Sequence, residues 1–397
     1  MKSKSSNLMA DQGPMEYAAE VVIVGAGISG LIAAATLHAL GFTVLVLEAQ
    51  SRIGGRLLST NGGADLGGSW TWDGEARVEA LARRFDVRLV PQRLDGVGLY
   101  QSPNSPLQRI GDLGFQIAPC GPDARRLVGG YAALAEKLAG TLPTHRIRLG
   151  CRVTAIAQKA DSAASGSGIF VEYENADGGQ EQVQAQRVIV AMPPRLAARL
   201  HFTPPLPAEQ KAKMAATAAW AADWAKVVAT FKSPFWRTRG ESGAAATPSG
   251  HIATTWWESS GGDELGEPSA SLAGLAVGGE AGDWLAAQPA AADGVSPPAV
   301  VERVKRVIAG LFGADAVAHL VNVTHKAWRT DPNAYSPPDG GAESGDPRRA
   351  YGHRMLKQPL PWGVSFCGTE TEAEGGHVEG AIKSGERVAR EVQAALR

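Results

Sequence analysis

The chain has 397 residues, 44% of them hydrophobic, and 39 Lys+Arg stand against 40 Asp+Glu for a formal net charge of −1. That length predicts one large domain or two intertwined ones, and the balanced charge excludes a general pull toward nucleic acid or an anionic membrane. Cys120, Cys151 and Cys367 are odd in number and far apart, which fits a reducing, cytoplasmic compartment without a disulfide framework.

Residues 1–19 are polar and lack the apolar centre of a secretory signal, so a disordered tail is expected. Residues 21–24 form an apolar run with no polar alternation, as a strand buried on both faces requires. Gly25, Gly27 and Gly30 follow as G-x-G-x-x-G. The first allows a tight turn, the second lets a pyrophosphate approach the backbone, and the third lets a helix pack close to the strand. Residues 29–40, opening at Ser29, read as that helix, closed by Gly41. Its first N–H groups point at an anion. A second strand over 43–47 ends at Glu48, placed to accept hydrogen bonds from a ribose diol. NAD and FAD both satisfy this unit. Arg52-Ile53-Gly54-Gly55-Arg56 selects FAD, because a G-G turn between arginines returns backbone and guanidinium charge to the pyrophosphate.

Residues 62–70 are too glycine-rich for ordinary secondary structure. A helix is expected over 77–85 and a short strand over 87–90, while 99–122 shows no period. Val128-Gly129-Gly130 begins a helix with Leu127, Tyr131, Leu134 and Leu138 on one face. Strands follow at 146–149 and 151–157, then a hairpin of 168–173 and 181–190 across Asp177-Gly178-Gly179. Residues 201–323 are aromatic and Ala-rich, with loops expected at 240–250 and 259–271. Trp220, Trp224, Phe231, Phe235, Trp236, Trp256 and Trp257 fall here, mostly as core, with a few lining an apolar pocket. Residues 299–312 read as an amphipathic helix, 336–346 as a Pro/Gly loop, 362–367 as a strand and 377–396 as a long helix. The histidines are scattered and no C-x-x-C occurs, so no metal site is expected. No run is long enough to span a bilayer.

The segments V-V-I-V-G-A-G-I-S-G-L, L-E-A-Q-S-R-I-G-G-R and F-C-G-T-E-T-E-A-E-G-G-H-V-E-G-A together resemble the flavin-containing amine oxidase family, to which the monoamine oxidases belong. The resemblance spans essentially the whole chain. It implies an α/β fold: a Rossmann-like FAD-binding domain built from both chain ends (20–85, 123–195 and 350–397) with an α+β substrate-binding domain (86–122 and 196–349). It implies that Glu48 and Ala49, with Gly55 and Arg56, belong to the FAD-binding set. Gly67, Gly68 and Ser69 would pass the flavin ring, and Val153 would lie against the adenine side through its backbone. Trp328 opens a W-x-x-D-P turn. Glu370, followed by Thr371, would contact the ribityl–pyrophosphate region, and the helix start at Val378 would direct N–H groups at the flavin pyrimidine ring. Some relatives attach FAD through a cysteine a few residues after W-x-x-D-P; the matching position is Pro337, so non-covalent FAD is expected.

Lys226 stands eight residues before Pro234 in a stretch that resembles the family's K-x-x-x-x-[YF]-x-x-P-F-W signature. The resemblance gives it the role of reaching flavin N5 through a water. The implied reaction oxidises the C–N bond of an amine by hydride transfer to N5. The imine is hydrolysed to an aldehyde or ketone, and oxygen takes the electrons as hydrogen peroxide. Amine and oxygen are thus the expected partners.

Three departures are visible. Monoamine oxidases hold substrate between two tyrosines; the matching positions are His377 and Pro337-Pro338, and Tyr335 comes slightly too early. His377 becomes the second candidate catalytic residue, either hydrogen-bonding substrate or filling space. The long helical insertion near 99–122 is missing, so the cavity is expected to be shallower or closed by the partner subunit of a homodimer. The chain stops at Arg397 without the C-terminal membrane helix of some relatives, and a soluble protein is expected. The alternative activity is a flavin dehydrogenase or desaturase of a hydrophobic metabolite, with an acceptor other than oxygen.

Overall fold

The computed structural model describes residues 19–102, 104–117, 119–159, 168–247, 252–260, 270–290, 294–340 and 346–397. The expected N-terminal tail lies outside these apart from Ala19, which is buried. Strand β1 (Val21–Val24), helix α1 (Ile28–Ala39) and strand β2 (Val44–Leu47) form where the sequence places them. Every residue of both strands is buried because they lie inside a five-stranded parallel sheet. Its order is Val364–Phe366, Arg187–Val190, β1, β2, Ile147–Arg148. Ile23 sits opposite Ile189 on one side and Val46 on the other.

Strand alternation sends successive side chains to opposite faces. Val21, Ile23, Val44 and Val46 join one core with α1 and the C-terminal helix Val378–Leu396. Val22, Val24, Leu45 and Leu47 join a second core with Val153, Ile156, Val171 and Phe202 of a four-stranded sheet. Each fully buried aliphatic side chain contributes about 1.5–3 kcal/mol. A Cβ on Gly385 would stand 2.5 Å from the Ser29 carbonyl oxygen. The last helix thus meets the first backbone to backbone, bringing the two ends of the chain onto one nucleotide unit.

A seven-stranded sheet makes the other half: Leu320–Ala327, Trp224–Phe231, Ala270–Val277, Thr255–Glu258, Glu241–Ala246, Val97–Tyr100 and Gln108–Gly111, in that order. Helix Pro298–Phe312 packs Val300, Val304, Val307 and Leu311 onto it and stops at Gly313, whose φ is 91°. Among the described residues no helix is long and apolar enough to cross a membrane, and no cluster of His, Cys, Asp and Glu could hold a metal ion.

Several elements differ from expectation. The aperiodic stretch 99–122 contributes two strands to the sheet and a helix, Leu113–Ile117. The loop expected at 240–250 contains the buried strand Glu241–Ala246, E-S-G-A-A-A, whose composition carries no strand signal. Gly243 fits its positive φ of 76° and its neighbour: a Cβ there would come 3.1 Å from the Trp236 indole nitrogen. The segment 181–190 divides at Gln186, where the chain leaves the hairpin partner Gly168–Glu174 for the parallel sheet beside β1. The strand expected at 87–90 forms at Leu89–Pro91, and the loop expected at 336–346 contains a short 3₁₀ turn, Pro337–Gly340.

Candidate active site

One cavity of 680 Å³ runs from the glycine turn after β1 to the strand that carries Lys226. Gly25, Gly27, Ser29, Glu48, Ala49, Gly55 and Arg56 line its nucleotide end, and Val153 and Trp328 stand on the wall there and beyond. Gly30 does not reach the wall. Its Cβ would fall 2.1 Å from the Gly25 carbonyl oxygen, so its place is set by helix–strand contact. Gly27 is different: a Cβ there meets no protein atom within 4 Å and would stand in the cavity.

Glu48 ends β2 and is almost fully buried. Its carboxylate accepts hydrogen bonds from the backbone N–H of Ala26 at 2.6 Å and Gln50 at 2.8 Å. Burial pushes its pKa up, against the pull of those two N–H groups. It thus clamps the glycine turn as well as facing the cavity. Arg56 makes a two-pronged pair with Glu370, at 2.6 and 3.1 Å, across 314 positions of sequence. Glu370 and Thr371 are both buried and neither lies on the cavity wall. Glu370 aims Arg56, while Thr371 donates to the Gly368 carbonyl and accepts from Arg387.

The residues fit a bound FAD. No side chain caps α1, and its first turn has no acidic residue. The helix that starts at Val378 likewise has no side-chain cap. Both helix starts border the cavity, and unpaired N–H groups there favour anionic or electron-rich groups. All three cysteines are free and buried, and burial pushes the Cys120 and Cys367 thiols up to about 12.

Past Gly67, Gly68 and Ser69 the wall becomes aromatic, with Trp70, Trp72, Trp220 and Trp224. Lys226 is buried here. Its Nζ donates to the Gly67 carbonyl at 2.7 Å and to Ser69 Oγ, between the rings of Trp70 at 5.1 Å and Trp257 at 5.7 Å. Burial pushes its pKa down to about 8, opposed by the charge of Asp65. Asp65 was not singled out in the sequence. It accepts from Ser59 Oγ at 2.6 Å and Tyr131 N–H at 2.9 Å, and burial raises it to about 6.

His377 lies on the wall at the same end. Its ring stacks on Trp72, centroids 4.5 Å apart and planes 25° apart, and tilts against Trp220 at 5.6 Å. Its Nδ1 is 2.8 Å from Glu75 Oε1. Tyr335 and Pro337 are not part of the wall; the Tyr335 hydroxyl donates to the Pro337 carbonyl instead. The wall at this end is built of indoles and the His377 ring. Of the seven aromatics noted between 201 and 323, Trp220 and Trp224 line the cavity, Trp257 packs under Lys226, and Phe231, Phe235, Trp236 and Trp256 belong to the core. Trp72 and Glu75 carried no motif and were missed.

The chain resembles known proteins over nearly its whole length. The pattern of flavin containing amine oxidoreductases matches residues 108–393, and that of NAD(P)-binding Rossmann-like domains matches 23–85. The chain is 28% identical to AofH of Mycobacterium tuberculosis, named a flavin-containing monoamine oxidase, over 96% of this chain and 98% of that one. It is 24% identical to amine oxidase [flavin-containing] A of Sus scrofa, over 95% and 85%. Among solved structures, cyclohexylamine oxidase from Brevibacterium oxydans superposes with a TM-score of 0.73 at 21% identity, over 95% and 99%. Wild-type putrescine oxidase bound to putrescine gives 0.70 at 19%, over 95% and 99%.

Proposed function

The chain belongs to the flavin containing amine oxidoreductase family and is an FAD-dependent oxidoreductase, and from that premise we propose that it oxidises an apolar monoamine. The observation that carries this reading is the continuity of the cavity. A dinucleotide groove opens without a break into an indole-walled end that holds one buried lysine. Bound here, FAD would supply the hydride acceptor for the C–H bond beside the amine nitrogen and the route of the electrons to oxygen, with hydrogen peroxide and a hydrolysable imine as the products.

The protein's own residues do the rest. Gly25, Gly27 and the start of α1 receive the pyrophosphate, Glu48 the ribose, and Val153 the adenine side. Arg56, aimed by Glu370, adds charge to the pyrophosphate. FAD stays non-covalent, since the cysteines are buried and Pro337 occupies the attachment position. Trp72, Trp220 and Trp224 exclude water and hold an apolar substituent. Glu48, at the nucleotide end, is the one acidic residue on the described wall. A second ammonium would find no carboxylate there, so a monoamine is favoured over a diamine. A free alkylamine gives up its proton at neutral pH at a cost of ~4 kcal/mol for about 3 pH units, and loss of water on entering the cavity offsets part of that by disfavouring the charged form.

The test is a screen of amines against the holoenzyme, reading flavin bleaching without air and peroxide with air. Bleaching by cyclohexylamine or benzylamine with stoichiometric peroxide is the expected result. Bleaching that only an artificial acceptor reverses would assign a dehydrogenase.

A further inference from the structure

Glu75 and His377 form a pair at the indole end of the cavity. Glu75 is the residue before helix α2 (Ala76–Arg84), where the helix start favours a carboxylate. Its Oε2 accepts from the Thr71 hydroxyl at 2.6 Å and from the Trp72 N–H at 3.2 Å. Its Oε1 faces His377 Nδ1 at 2.8 Å, and its side chain is only 12% exposed. A carboxylate at a helix start that already accepts two hydrogen bonds is held ionised, and an ionised carboxylate can only accept, which makes Nδ1 the donor in this contact. That fixes the tautomer of His377. Its Nε2 has no hydrogen-bond partner within the described protein, while the ring borders the cavity.

We propose that Glu75 is the positioning residue of a proton-accepting pair, in which His377 Nε2 takes the proton from the incoming alkylammonium. This rests on the amine oxidase reading of the same cavity. The N–H bond of the ammonium breaks and an Nε2–H bond forms. The substrate is left neutral, as its oxidation requires, and the imidazolium is held by the Glu75 carboxylate. The ring, with a side chain 28% exposed, returns the proton to solvent between turnovers. The other charged groups packed around it are engaged elsewhere. Glu379, in the first turn of the same helix, pairs with Arg77. Arg348 lies over the Trp220 ring at 4.7 Å and binds Asp346. Arg125, near Glu75, is paired with Glu79 and Asp73. Glu374 pairs with Lys383 toward solvent.

The test uses the holoenzyme and tert-butylamine, whose carbon beside nitrogen carries no hydrogen and so cannot be oxidised. Binding is followed by the flavin spectrum and by nitrogen-15 NMR of the histidine ring. If His377 keeps the proton, none leaves the complex on binding, and the Kd is flat from pH 7.5 to 9. In His377→Gln the proton must go to solvent, and the Kd falls about tenfold per pH unit. In Glu75→Gln, which keeps an acceptor opposite Nδ1 but loses the charge, the slope moves part of the way. In the wild type, NMR should show the Nδ1–H tautomer when free and a doubly protonated ring in the complex at pH 8. A tenfold slope in the wild type, a neutral ring in its complex, or no response of His377 to the amine would each overturn the proposal, and none depends on how a variant folds. Failure of the oxidase reading shows separately, as a holoenzyme that no oxidisable amine bleaches without air.

Discussion

Lys226→Met keeps the length of the side chain and removes its charge. Burial lowers the Lys226 pKa from 10.5 to about 8, which at 1.36 kcal/mol per unit is a penalty of ~3 kcal/mol on the charged form in the folded state. The native state therefore holds fewer protons at this site than the unfolded state between pH 8 and 10.5. The penalty is fully present below pH 8 and is relieved as pH rises through that window, so wild-type stability gains up to ~3 kcal/mol there relative to the variant. At pH 7 the variant escapes the penalty but loses two charge-assisted hydrogen bonds, to the Gly67 carbonyl and Ser69 Oγ, at about 1.5–3 kcal/mol each. The net change in melting temperature at neutral pH should be small, and flavin content should be unchanged. Denaturant unfolding of both holoenzymes at four pH values from 7 to 10 measures the difference. Stopped-flow reoxidation of the reduced enzymes by oxygen reads the same group independently. The wild-type rate should fall as pH passes about 8, and the variant should be slower by tenfold or more at pH 7, each tenfold being about 1.4 kcal/mol in the barrier. Stability differences that stay constant with pH, together with equal reoxidation rates, would refute the placement of a buried working ammonium at Lys226.

Arg56→Ala leaves the fully buried Glu370 carboxylate without its partner; a loss of about 3 kcal/mol is expected, less any part already screened at the one-third-exposed guanidinium. FAD affinity should fall as well, removing part of the ~2.7 kcal/mol that ligand at 100 times its Kd supplies, and melts with and without added FAD separate the two. Asp65→Asn keeps an acceptor for Ser59 and Tyr131 N–H but removes a carboxylate raised from 3.8 to about 6. The native state binds more protons than the unfolded state between those values, so wild-type stability should fall by ~3 kcal/mol as pH rises through the window, and the Asn variant should lack that slope in melts from pH 3.5 to 7. Acid precipitation should release all flavin to the supernatant; a yellow pellet would show a covalent bond.

The nucleotide end of the site is legible in the sequence because its requirements are local. A tight turn, a helix start, a buried strand and one acid fall within residues 21–48, and each constrains residue type by backbone geometry alone. The substrate end is not legible in this way, because its partners are distant in the chain and their side chains signal nothing until they meet. Trp72 and Glu75 lie some 300 positions from His377, yet they set the plane and tautomer of its ring. Asp65 sits among glycines that drew notice for the flavin, while its own task, tying the turn near Lys226 to Tyr131, depends on a helix residue 66 positions away. Strand Glu241–Ala246 pairs through backbone groups that any sequence carries, and Gly243 within it sits tight against Trp236. The sequence by itself determined which cofactor the fold is built to hold. Tertiary packing alone decided what surrounds a substrate, because burial and hydrogen-bond partners are properties of neighbours in space.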